Sequence, residues 1–156
     1  MLRIQITKRA DGAGVLRCMR ADGSVTWQRQ NDRHAAFFAL HDLTHYAVES
    51  VLGFRQGFYG LLADGWDIED TGGKGARGRL PQEAIEVERI VGLFDTERGS
   101  GVLLTAEDYA AFATEYMRPL TDDDIARVRV RRGELFSQWA AVAPGDTLEL
   151  TFPAPK

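Results

Sequence analysis

The sequence predicts an α+β domain: a small antiparallel sheet, built from an N-terminal three-strand meander and a C-terminal strand, covered on one face by about five helices. Two patterns carry this expectation. Residues 1–30 and 147–152 alternate apolar and polar side chains with the period of two of a half-buried strand. Between them the apolar spacing lengthens to a helical period. The alternation also gives the sheet one apolar and one polar face, so helices are needed on a single side.

The strands come first. Leu2, Ile4 and Ile6 alternate with Arg3, Gln5 and Thr7, and "ADGAG" and "ADGS" supply the Asp-Gly chemistry of tight hairpins. Leu16 and Cys18 share an apolar face in the second strand. Val25 and Trp27 are expected to continue it in the third, with Thr26, Gln28 and Gln30 opposite. In "PGDTLELTF", Leu148, Leu150 and Phe152 oppose Thr147, Glu149 and Thr151, and this strand is expected beside one of the first three.

The helices follow from caps and breakers. Asn31 or Asp32 can cap a long helix through "HAAFFALHDLTHYAVESVL", stopped by Gly53. "GFYGLLADGW" reads as a shorter helix or helical turn, and "DIEDTGGKGARGRL" as a glycine-rich charged loop. Pro81 suits the first turn of "QEAIEVERIVGLF", where its missing N–H is not needed. Thr105 with Asp108, and Thr121 with Asp124, have the spacing of capping boxes. The last helix is expected to reach about Ala143, before Pro144-Gly145, with a kink or break at Gly133. No repeat or boundary interrupts the pattern, so residues 1–156 are read as one domain, long enough to bury a core unaided.

Composition excludes several classes. A hydrophobic content of 44% and a charged content of 27% are those of an ordinary globular chain, and no apolar run approaches the roughly 20 residues of a membrane span. The N-terminus alternates like a strand and lacks the features of a signal peptide. The single cysteine permits no internal disulfide, and together these observations point to the cytoplasm. Net charge is −4, with a basic excess of four in residues 1–33. That excess is read as a solvated face, and a sequence pI near 5.4 disfavours nucleic acid as a partner.

Function concentrates in "HDLTHYAVE", residues 41–49. On a helical wheel His41 and His45 fall where the apolar arc meets the polar one, with Asp42 and Glu49 further round towards solvent. Histidines four residues apart project from successive turns and can share one ion. Glu49 is eight residues from His41, about 12 Å of helix rise, too far for one ion to bridge. It is better suited to pairing with His45 or orienting that ring. If the chain reverses near Arg55 as a helical hairpin, the histidines lie level with "ADGWDIED". Asp64 and Asp67 are then the first choices for further ligands, with Glu69 and Asp70 also in range and Glu88 an outsider.

"HDLTH" resembles the H-E-x-x-H signature of zinc metalloproteases over these five residues, with Asp42 in place of the general-base glutamate. The resemblance implies divalent metal coordination, by zinc or otherwise iron or manganese. It does not extend to protease activity: an aspartate is one methylene shorter, and no later histidine exists, since the remaining one, His34, precedes the motif.

Three readings of the stretch stand side by side. One is a metal centre at His41, His45, Asp64 and Asp67, with Asp42 or Glu49 as base or ring-orienting group and hydrolase-like chemistry on a bound water. The second is a metal-free polar site that binds a small-molecule ligand or does acid–base work. In the third the histidines are structural, and the polar outer sheet face (Arg3, Gln5, Arg17, Gln28) serves a protein partner or a homo-oligomer.

Other motifs carry less. Lys74, Arg77 and Arg79 form a charged loop without the P-loop pattern, and Cys18 reads as a buried, inert thiol. No serine has a nucleophile-elbow context. The arginines of "ARVRVRRGE" read as a solvated helix face.

Overall fold

The computed structural model describes residues 1–29 and 35–153. The strands β1 (Leu2–Lys8), β2 (Gly14–Met19), β3 (Val25–Arg29) and β4 (Thr147–Phe152) form one antiparallel sheet in the order β3-β2-β1-β4. The chain's two ends meet in it, with Ile4 opposite Cys18 on one side and Leu150 on the other. Five helices are seen among the described residues: α1 (Ala35–Leu52), α2 (Phe58–Ala63), α3 (Gln82–Ser100), α4 (Ala106–Phe112) and α5 (Asp122–Ala141). A 3-10 turn, Ile68–Gly72, adds structure where the sequence reads as loop. The α+β architecture is therefore the one expected. The cap expected at Asn31 or Asp32 lies outside the described residues, as does His34.

Local signals explain most boundaries. Both capping boxes form: Thr121 Oγ1 accepts the Asp124 N–H at 3.0 Å while Asp124 accepts the Thr121 N–H at 2.9 Å, and Thr105 and Asp108 do the same. Pro81 sits one position earlier than expected, as the N-cap of α3. Helix α5 runs unbroken through Gly133 and ends just before Pro144. Thr121→Ala is expected to lower stability by about 1 kcal/mol, the usual worth of such a cap. A urea titration should show a lower midpoint at unchanged slope.

One strand is inverted relative to the sequence reading. In β3 Thr26 is buried while Val25 and Trp27 are exposed, Trp27 by 64%. The register is the reason: Thr26 pairs with Cys18, whose side chain lies in the core, so both point inward. Thr26 meets its polar requirement there by accepting the Ile68 N–H at 2.9 Å, which docks the 3-10 turn on this strand. Trp27 consequently stands opposite Arg17 on the outer face.

The core lies between the inner sheet face and the helices, with α1 at its centre, packed against β2, α2, α3 and α5. Every residue of α1 from Asp42 to Glu49 is buried. The wheel assigned Asp42 and Glu49 to the solvent side, as if one side of the helix were covered, but neighbours surround it. Its polar side chains must therefore find partners inside the protein.

The arginine run of α5 also differs from its sequence reading. Arg127 and Arg131 stay near the surface and pair with Asp123, Asp124 and Glu134. Arg129 and Arg132 instead turn inward onto Glu97 of α3, itself only 4% exposed.

Candidate metal centre

Helices α1 and α3 run antiparallel, which sets His41 beside Asp95 and His45 beside Glu88. At the near end of α3, Glu83 accepts the N–H groups of Arg55 and Gln56, locking the turn after α1 to the start of α3. Glu88 and Asp95 are seven residues apart, two helical turns, and so share one stripe of α3.

Each imidazole has its Nδ1 on a carboxylate. His41 Nδ1 lies 2.6 Å from Asp95 Oδ2, and His45 Nδ1 lies 3.1 Å from Glu49 Oε2. An ionised carboxylate has no proton to give, so Nδ1 of each ring donates, and a ring can coordinate an ion only through Nε2, which on His45 means giving up the proton directed at Glu88. His45 Nε2 lies 3.1 Å from Glu88 Oε1, and the two rings meet edge to face at 4.8 Å between centroids. One ligand atom from each of His41, His45 and Glu88 falls within 4.8 Å of the others, so the set can hold a metal ion. Tetrahedral ligands about 2.0–2.2 Å from an ion are roughly 3.4 Å apart, so a small contraction would close the set.

Glu49 is the anchor behind this face. It is fully buried, and its Oε1 accepts the N–H groups of Tyr59 at 2.9 Å and Gly60 at 3.3 Å. Those bonds require two glycines. A Cβ on Gly57 would lie 2.5 Å from Glu49 Cδ, and one on Gly60 would lie 2.0 Å from the Arg55 carbonyl oxygen. Helix α2 therefore docks close enough to present its amides only because these positions lack side chains.

The electrostatics follow from the geometry. Burial by itself disfavours a charged His45, but hydrogen bonds and charge from Glu49 and Glu88 outweigh it, and the ring holds its proton up to about 10. Burial lifts the Glu49 carboxyl above its ordinary range, opposed by His45 and by the amides of Gly60 and Tyr59. Glu88 is half-exposed; its burial raises its pKa less than His45 lowers it, so it stays ionised more readily than a free glutamate. Both upward shifts in the His45–Glu49 pair express one fact: the buried pair retains a proton, and the ring can direct it at two acceptors.

Asp95 and Arg98 complete the His41 side. Arg98 is paired with Asp95 at 3.6 Å and its guanidinium lies 4.9 Å from the Phe37 ring centre, while Phe37 stacks on His41. Asp95 Oδ1 and Arg98 Nε are buried without hydrogen-bond partners.

The site residues expected from sequence separate into two groups. His41 and His45 come together, and Glu49 holds the His45 ring. Asp42 is buried, and its charge acts on Cys18 and Tyr59. Asp64 and Asp67 are not beside the histidines: Asp64 is exposed at the end of α2, and Asp67 caps the 3-10 turn and pairs with Arg20 at 3.1 Å. The expected helical hairpin fails because α2 ends after six residues and the chain then turns towards β3, leaving α3 to line α1. The carboxylate that joins the histidines is Glu88, the outsider of the sequence reading. Asp95 was missed, although its position two turns after Glu88 was a usable signal.

No helix among the described residues is long and apolar enough to cross a membrane. Compared with family models, curated proteins and solved structures, the chain matches none, so its site is read from its own geometry.

Proposed function

We propose that the protein is a divalent-metal protein in which His41, His45 and Glu88 hold one ion, zinc by preference and otherwise iron or manganese, in a hydrolase-like centre. A single observation carries this reading: two imidazoles, each fixed at Nδ1 by a carboxylate, converge with Glu88. Carboxylate–histidine–metal relays have this construction, because the carboxylate fixes the tautomer and raises ring basicity. Two histidines and one carboxylate with a remaining position form a catalytic zinc donor set. Bound zinc lowers the pKa of its water to about 7, which supplies a nucleophile near neutral pH. Glu88, half-exposed, marks the side open to solvent. On this reading Glu49 and Asp95 hold the rings, which makes Glu49 a ring-orienting group and not a base.

A second reading has its own support. His45 Nε2 already donates to Glu88, so the network closes without an ion and would serve as buried scaffolding.

Elemental analysis of protein prepared without a histidine tag separates the two. About one equivalent of metal is expected in the wild type, lost in His41→Ala and His45→Ala and reduced in Glu88→Gln, but retained in Asp64→Asn and Asp67→Asn. A metal-free wild type that gains no thermal stability from added zinc would overturn the metal reading in favour of the scaffold.

A further inference from the structure

A second concave site lies on a different face of α3. It is a groove of about 520 Å³ lined by Arg79, Leu80, Gln82, Ile85, Arg89 and Tyr116, with Met117 and Glu86 among its deeper residues. This volume is within the range of small-molecule sites, roughly 300–1,000 Å³. Ile85 and Tyr116 leave 48% and 66% of their surface in water, an apolar area that a ligand would cover.

Charge decides what kind of ligand fits. Arg79 and Arg89 make no hydrogen bond and no ion pair among the described residues, whereas Arg118, Arg129 and Arg132 are all engaged. Glu86 is already compensated: its Oε2 accepts the Arg118 N–H at 2.7 Å and lies 3.6 Å from Arg118 Nε. Glu115, also on the lining, is the one carboxylate there without such a partner. Two unpaired guanidiniums against one unpaired carboxylate leave a surplus of one positive charge. That balance suits a monoanion and disfavours a dianion, and guanidinium forks match a carboxylate in shape.

We propose that this groove binds a small amphipathic monocarboxylate, with its carboxylate between Arg79 and Arg89 and its apolar body over Leu80, Ile85, Tyr116 and Met117. The site is distinct from the His41/His45/Glu88 cluster and does not depend on a bound metal.

The test is calorimetric titration of the full chain with decanoate below its micelle-forming concentration. Decyltrimethylammonium serves as the same tail with opposite charge, and inorganic phosphate as an anion without a tail. The wild type is expected to bind decanoate saturably at one site and to bind neither control. Arg79→Gln and Arg89→Gln should each weaken binding by roughly tenfold or more, the scale of a lost charge-assisted hydrogen bond, and the double variant should abolish it. Both arginines are exposed, so unchanged melting curves are expected and confirm that folding is intact. Absence of decanoate binding, equal binding by the double variant, or equal binding of the cationic analogue would overturn the proposal. So would a concentration-dependent dimer broken by Ile85→Asp, which would assign the groove to a second copy of the chain.

Discussion

Replacing Glu97 by alanine is expected to remove about 3–5 kcal/mol of unfolding free energy, the cost of deleting one partner from a buried ion pair. Glu97 joins three segments at one point. Its Oε1 accepts from Arg129 Nε at 3.1 Å and Arg132 at 2.7 Å, and its Oε2 accepts from Arg129 at 2.9 Å and from the Leu104 N–H at 2.6 Å. Without it, two guanidiniums and an amide held against α3 lose their acceptor. The remaining bonds, from Arg129 to the Leu104 carbonyl and from Arg132 to the Phe94 carbonyl, leave most of that charge unanswered. Chemical denaturation at neutral pH measures the loss directly.

The same group gives a pH signature. Burial opposes its ionisation, but hydrogen bonds from Arg129, the Leu104 N–H and Arg132 prevail and hold the carboxyl at about 2, against an ordinary 4.5. A depressed native pKa means that folding favours the charged form. Its contribution is therefore complete above the unfolded value and fades as pH falls through about 2. The stability gap between wild type and Glu97→Ala should be widest near neutrality and narrow steadily below about pH 4. A gap that stays constant through the acid range would show that the loss comes from packing and not from charge.

Glu49→Gln is expected to keep the fold yet weaken metal binding by about 10–100-fold, the usual effect of removing a group that orients a ligand. Glutamine has nearly the same shape, and its amide oxygen can still accept from Tyr59 and Gly60. Its amide nitrogen then faces His45 Nδ1, which must become an acceptor. The ring then keeps a single proton, on Nε2, the nitrogen an ion would need, where it still donates to Glu88. Metal titration gives the affinity, and the ¹⁵N shifts of the His45 ring report the tautomer. Unchanged affinity with a proton still on Nδ1 would remove Glu49 from this role, and the elemental analysis above would still decide the proposed ligands.

Features governed by local chemistry were legible in the sequence. The strands of "LRIQITK" and "TLELTF", the capping boxes at Thr121 and Thr105, and the helix stop at Gly53 all depend on neighbours within a few residues. What escaped depends on packing between distant segments. The β3 face could not be read because "VTW" offers an acceptable residue on either side, and only pairing with Cys18 selects Thr26. The placement of Glu49 towards solvent presumed a helix with one covered side, whereas α1 is enclosed. The choice of Asp64 and Asp67 presumed that the next segment in the chain would be the next neighbour in space. The short α2 and the docking of Ile68 on Thr26 send that segment elsewhere, and Glu88 and Asp95 arrive from more than 40 residues away along the chain.

The glycine-dependent seat of Glu49 makes two events one equilibrium. The carboxylate that fixes the His45 ring is itself held by the first amides of α2, through an approach that Gly57 and Gly60 alone permit. Any free energy the ring gains from a partner at Nε2 is thus shared with the docking of α2, and thermodynamic reciprocity makes the exchange run both ways. Loosening α2 must weaken whatever His45 binds, and occupancy at His45 must tighten α2 by the same factor. Amide hydrogen exchange at Tyr59 and Gly60 therefore serves as a remote gauge of a site that neither residue touches.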